Sequence, residues 1–305
     1  MDISPACADP KPSVENVLED MKLEVVLLRT LQSSYVPTVT AITAQVTEVV
    51  RYFNLKRQIF NCDLNMDLRK EQKKTESLSI CSVNICGLSE RSRFALDQYV
   101  STKGLDIVAV QEAGRVKKDT INLAHMNPFC DSNQGANKGC VLYVHEDLRF
   151  IPLPSIAAVS KQIDSVWGLV VIGSKRIIVG TVYVKLSYNQ AINEVLEMLE
   201  RADKEAQRLS ANGVILAGDY NARHTNWGDT TVNTYGKQLA AGIDYHRFDL
   251  VGPSSPTFVS ANGHSLIDLF ITTNSIVDNV SYCKTDDQAC LFTGAPFRGH
   301  LPVII

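Results

Sequence analysis

The chain is predicted to be an α/β protein, two packed mixed β-sheets covered by helices, with a helical extension at its N-terminus. Three observations predict it. From residue 78 onward, short apolar runs rich in β-branched residues alternate with amphipathic stretches of helical period. Residues 1–77 behave differently, with apolar stripes stepping by three and four and then a charged run. With 305 residues and 45% hydrophobic composition, the chain can bury one large core and still carry an appendage.

In the extension, Val14, Leu18, Met21, Val25 and Leu28 share one helical stripe, with Ser13 as N-cap and Glu15 in the first turn. Ser33-Ser34-Tyr35-Val36-Pro37 breaks that helix, and Val39, Ile42, Val46, Val49 and Phe53 form a second stripe. The expectation is a helical hairpin over 1–60, packed on itself, on a second copy, on a partner or on the following domain. Residues 61–77, with Arg69-Lys70-Glu71-Gln72-Lys73-Lys74, are expected to be a solvated linker.

From residue 78, strands are expected at 79–83, 105–110, 140–144, 165–172, 177–183, 214–217, 266–271 and 301–305. Gly173-Ser174-Lys175 marks a hairpin turn. Helices are expected at 91–101 and 189–209, the second with Val195, Met198, Leu199 and Ala202 on its apolar side.

Several strands end in residues able to handle a phosphate ester. Val214-Ile215-Leu216-Ala217 turns out at Gly218 into Asp219-Tyr220-Asn221, placing a carboxylate and an amide two apart at the strand mouth. Asn84 ends the first strand, and Gln111-Glu112 the second. Asp268 lies within an apolar run, where a carboxylate is costly unless paired. His300 comes near the end of the chain. Acids and amides at strand ends with a late histidine suit metal-assisted phosphoester hydrolysis.

The order Asn84, Glu112, Tyr183, Asp219-x-Asn221, Asp268, His300 resembles the endonuclease/exonuclease/phosphatase superfamily. In detail it is similar to the apurinic-type endonuclease domain of non-LTR retrotransposons of the jockey group. Gly218-Asp219-Tyr220-Asn221-Ala222 followed by Trp227-Gly228 carries the likeness, together with residues 138–144, Ser255-Pro256-Thr257-Phe258 and Ser265-Leu266-Ile267-Asp268. The match spans 78–305 in order, and implies a four-layer sandwich and a magnesium-dependent DNA endonuclease, with manganese as the alternative ion. It implies Glu112 as principal metal ligand with Asn84 beside it. Asp219 would position or deprotonate the attacking water, Asn221 would hold water or phosphate, and Tyr183 would donate its hydroxyl to the phosphate. Asp268 and His300 would form a pair, and Trp227 would either pack under the loop or meet a DNA base.

Two departures stand out. The family closes on Ser-Asp-His where this chain has Arg298-Gly299-His300, so an acid is missing; weaker ion binding and slower turnover are expected. Gly299→Asp is expected to lower the magnesium requirement unless a positive φ at that position opposes it. No Tyr/Phe-x-Asp-Asp polymerase motif follows, so the chain is expected to be an endonuclease module, either a fragment or a stand-alone derivative. The alternative function is a binding or assembly protein, a silent domesticated remnant acting through its N-terminal helices.

A net charge of −3 gives no bulk attraction to DNA, although a local basic stripe is compatible with it. The eight cysteines show no zinc-site spacing and are expected to be mostly small buried hydrophobes in a reducing compartment. No secretory signal and no membrane-spanning run is apparent, so an intracellular protein is expected, with nuclear access following only from the function.

Overall fold

The computed structural model describes residues 77–114, 121–130, 139–186, 189–287 and 299–305. The helical hairpin expected over 1–60 and all but Ser77 of the expected linker lie outside these residues. Among the described residues, no helix is long and apolar enough to cross a membrane.

One sheet comprises β1 (Ile80–Asn84), β2 (Ile107–Gln111), β3 (Met126–Cys130), β4 (Val141–His145), β13 (Lys284–Thr285) and β15 (Val303–Ile304), ordered β13-β15-β1-β2-β4-β3. A second comprises β5 (Arg149–Pro152), β6 (Ile163–Ile172), β7 (Lys175–Val184), β8 (Gly213–Asp219), β9 (Phe248–Val251) and β12 (Asp268–Thr273), ordered β5-β6-β7-β8-β12-β9. A small third sheet joins β11 (Gly263–Ser265), β10 (Phe258–Ser260) and β14 (Gly299–His300). Both large sheets are mixed: β1 runs parallel to β2 and β7 parallel to β8, with antiparallel neighbours around them.

The two-residue period of the strands assigns every layer. In β2, Ile107 and Ala109 join the core between the sheets, whereas Val108 and Val110 face helix α1 (Glu90–Lys103). In β8, Ile215 and Ala217 enter the inter-sheet core, whereas Val214 and Leu216 pack against α2 (Ala191–Arg208) through Ile192, Val195, Met198 and Leu199. The result is helix, sheet, sheet, helix, the expected four-layer sandwich. Ser89 caps α1 by accepting from Ser92 N, and Gly104 ends it in the left-handed conformation.

Differences from the expected elements have local causes. The strand expected at 266–271 begins its ladder only at Asp268, because Leu266 N donates to Asp229 Oδ2 and Ile267 N to Thr257 Oγ1. The strand expected at 301–305 is divided. Gly299–His300 pairs with β10, Pro302 offers no N–H, and Val303–Ile304 then pairs with β1. Helix α3 (Thr234–His246) was not expected, because Gly236 and Gly242 lower its intrinsic propensity. Both glycines are there for close approach: a Cβ would come 1.9 Å from Arg223 O at Gly236 and 2.2 Å from Leu196 Cδ1 at Gly242. Strand β3 contains Pro128 and lies at a sheet edge, where a missing N–H is tolerated.

Candidate active site

The faces that build the inter-sheet core become polar at one end of the strands. Asp219 continues the row of Ile215 and Ala217, Asn84 the row of Ile80 and Ser82, and Tyr183 the row of Val179 and Thr181. Register aligns the groups across the second sheet. Tyr183 pairs with Asp219 between β7 and β8, and Asp219 pairs with Asp268 between β8 and β12. The first sheet brings Asn84 beside Gln111, so Glu112 leaves the sheet next to Asn84. Gln111 ties the sheets together below the site, its Nε2 donating to Thr181 Oγ1 at 2.9 Å and to Ser82 Oγ at 3.2 Å.

Asn84 is the bridge between the sheets at the site. Its Nδ2 donates to Asp219 Oδ2 at 2.9 Å and to Glu112 Oε1 at 3.2 Å, while its Oδ1 accepts from Cys86 N at 3.0 Å. Thus the amide nitrogen faces both acids. Tyr183 hydrogen-bonds Glu112; burial first, then that bond, pushes its phenol up, so it remains a protonated donor. Glu112 and Asn221 both adopt φ of 50°, an uncommon conformation for residues with side chains. Such strain concentrates where the surrounding structure holds a functional group in place.

The second half of the site is a chain of acid, imidazole and acid. His300 Nδ1 lies 3.0 Å from both oxygens of Asp268, and its Nε2 lies 3.7 Å from Asp219 Oδ2. All three side chains are buried. Burial alone would push the imidazole down, but the Asp268 carboxylate, then Asp219 and Glu112, drive it up to about 9. Burial and the Asp268 charge hold the Asp219 carboxyl well above the usual range, opposed by His300, Asn84 and the Asn221 N–H.

Two braces that the sequence did not reveal position these groups. Thr257, fully buried, accepts from Ile267 N at 3.0 Å and Asp268 N at 3.1 Å through its hydroxyl, and its carbonyl accepts from Leu301 N at 2.7 Å. It thereby couples the Asp268 strand to the His300 strand. Phe258 lies against His300, ring centroids 4.7 Å apart. The second brace holds the loop after β8. Asp229, with its side chain buried, pairs with the Arg223 guanidinium at 3.0–3.1 Å and accepts from Leu266 N and Thr231 N. Asn233 Nδ2 donates to Asn221 O at 2.8 Å, and Asn221 Nδ2 to Val184 O at 2.9 Å. Trp227 is buried, its Nε1 donating to Leu266 O at 3.2 Å, so it packs beneath this loop.

A ligand atom each from Asp219, Asp268 and His300 lie within 4.8 Å of one another, close enough to hold a metal ion. The sequence instead pointed to Glu112 and Asn84. Asp268 engages His300 with both oxygens, whereas Glu112, half-buried at the mouth, is bonded by Asn84 and Tyr183. Carboxylate and amide groups of this kind suit a hard divalent cation such as magnesium.

Residues 177–291 match the family described as endonuclease-reverse transcriptase. A probable RNA-directed DNA polymerase from transposon BS of Drosophila melanogaster is 25% identical over 211 residues, covering 67% of this chain and 22% of that protein. The chain therefore spans under a quarter of that relative's length. The endonuclease domain of TRAS1, a telomere-specific non-LTR retrotransposon, superposes with a TM-score of 0.59 at 19% identity, covering 75% of this chain and 97% of that one. The AP endonuclease LMAP from Leishmania major gives 0.60 at 14% identity, covering 74% and 86%. The retrotransposon-endonuclease resemblance carried by the motifs thus holds in sequence and in fold.

The chain departs at Gly299 from the closing motif of the family it resembles, and the structure gives a backbone reason to keep glycine there. Gly299 has φ of 142° while paired with Val259. A side chain at that angle is strained by roughly 1–2 kcal/mol. Gly299→Asp is therefore expected to lower the melting midpoint by about 2–8 °C, in competition with any gain in ion binding. Melting of Gly299→Asp and Gly299→Ala checks this. Both should fall together, and wild-type midpoints in both would mean that the strand relaxes without strain.

Proposed function

We propose that the chain is a divalent-metal-dependent phosphodiesterase, a DNA endonuclease that nicks target DNA for non-LTR retrotransposition. The observation that carries it is the Asp268–His300–Asp219 chain set against Asn84 and Glu112 across the end of two sheets. In this reading Glu112, with Asn84 beside it, would hold magnesium, and the bound ion would neutralise phosphate charge. Asp219, its carboxyl raised toward neutral pH, accepts a proton from the attacking water. Asn84 and the Asn221 N–H fix the orientation of that carboxylate. Asn221 lies where it would help place the water or phosphate. His300, kept cationic by Asp268, faces the region where negative charge develops. Tyr183 offers its protonated hydroxyl to a phosphate oxygen.

Supercoiled plasmid tests the proposal. Nicking should require magnesium or manganese, and Glu112→Ala should abolish it with the circular dichroism unchanged. Persistent activity in that variant removes the ligand assignment. No nicking by the wild-type chain with either ion would favour the binding and assembly role instead.

A further inference from the structure

Beside the candidate site stands a charged pair that the chemistry above does not use. Asp164 of β6 is the register partner of Tyr183, which is itself the partner of Asp219. Residues opposite one another across strands share a face, so Asp164 extends the row Tyr183–Asp219–Asp268 by one strand. Its carboxylate is 6% exposed and lies 3.3 Å from Lys185 Nζ through one oxygen and 3.5 Å through the other. Lys185 follows Tyr183 by two residues and retains 25% exposure.

Both the ammonium and the backbone around it are held. Lys185 Nζ donates to Lys161 O at 2.9 Å. The Tyr235 hydroxyl donates to Leu186 O at 2.8 Å and contacts Lys185 O at 3.3 Å. The carbonyl just before Lys185, that of Val184, accepts from Asn221 Nδ2 at 2.9 Å. A lysine is usually a freely moving surface charge. This one is held at the end of the row that carries Tyr183 and Asp219, and its backbone is tied to Asn221.

Electrostatics give that placement a use. Asp164, Asp219, Asp268 and Glu112 make the site acidic, so a polyanionic strand needs cations along its approach. Arg223, also on the active-site loop, is committed to Asp229. Lys185 pairs with Asp164 at the longer distances of 3.3 and 3.5 Å and keeps 25% of its side chain exposed, so a phosphate can reach its ammonium.

We propose that Lys185 is a substrate-binding residue that contacts a backbone phosphate of the nucleic-acid strand flanking the scissile bond, with Asp164 holding its ammonium in position until the strand arrives. The proposal rests on the phosphodiesterase function above.

Binding of a 20-base-pair DNA duplex, followed by fluorescence anisotropy without divalent ions across a salt series, provides the test; the duplex length is an arbitrary choice of about two helical turns. Lys185→Ala should weaken binding severalfold at low salt and reduce the slope of log affinity against log salt by about one contact. Lys185→Arg should keep the slope. Asp164→Asn should tighten binding at low salt by freeing the ammonium. A pair with a purely structural role would lower the melting midpoint in both variants and leave the slope at its wild-type value, which overturns the proposal while the wild-type chain still binds DNA. If the wild-type chain shows no salt-dependent binding and no nicking, the nuclease function falls and the Lys185 contact falls with it.

Discussion

Asp219→Asn is expected to slow phosphodiester hydrolysis by about 10²- to 10⁴-fold, the range for losing a positioned general base, with the fold preserved. Asparagine keeps the side-chain shape and leaves an oxygen within reach of Asn84 Nδ2 or the Asn221 N–H, which meet the carboxylate at 2.9 and 3.0 Å. What is lost is the ability to take up a proton. Stability is set by two opposing changes, one donor losing its acceptor and a buried charge being removed. A carboxyl whose folded-state pKa lies above its unfolded value of 3.8 contributes stability below that value and loses it as pH rises through the folded value. At pH 8 the wild-type protein therefore carries an ionised, buried Asp219 beside Asp268, a cost that the neutral variant avoids. Single-turnover rates and thermal melts at pH 8 separate the two effects. A rate within tenfold of wild type would remove Asp219 from the proton transfer.

Local pattern made much of this site legible, and distant backbone made the rest illegible. Asp219 and Asn84 could be read as strand-end groups because the period-two alternation of their strands is intact. Ala217 enters the inter-sheet core, and Asp219 follows it on the same face. Glu112 was read from its place after β2, but its φ of 50° is set by contacts that no spacing reveals. Thr257 and Asp229 act on the N–H groups of Ile267, Asp268 and Leu266, ten to thirty-seven residues away. Nothing in a run of apolar residues marks which of their N–H groups will leave the ladder. Trp227 could be read as packing under the loop or meeting a DNA base, and it packs, whereas nothing in the sequence marked Arg223 or Asp229. In the fold, Arg223 pairs with Asp229 to hold the loop, and Asn233 and Val184 hold Asn221 itself. Helix α3 was hidden for the opposite reason: its glycines answer to tertiary close packing at the expense of propensity.

Removing the carboxylate that keeps His300 charged should give the other large effect, and it should depend on pH. In the wild-type protein the imidazole stays cationic until pH approaches about 9, because Asp268 overcomes the lowering effect of burial. A histidine with a raised folded pKa contributes stability fully below its unfolded value of 6.5 and loses it as pH rises through about 9. Activity that uses the charged imidazole should share that alkaline limb. In Asp268→Asn, burial acts without its main opponent, and only Asp219 and Glu112 continue to raise the imidazole pKa. The limb should move down by one to two pH units, roughly the size of shift one close opposite charge produces. The rate at pH 8.5 should then fall about three- to twentyfold further than the rate at pH 6.5, as the cationic fraction is lost. The stability lost between those two pH values should shift downward in step. Thr257 binds the backbone N–H at position 268, a contact the substitution leaves intact, so the ring loses its counter-charge without losing its strand. A pH–rate profile at saturating divalent ion decides the matter: an alkaline limb left near 9 in Asp268→Asn would mean that His300 is not the group whose charge the reaction uses.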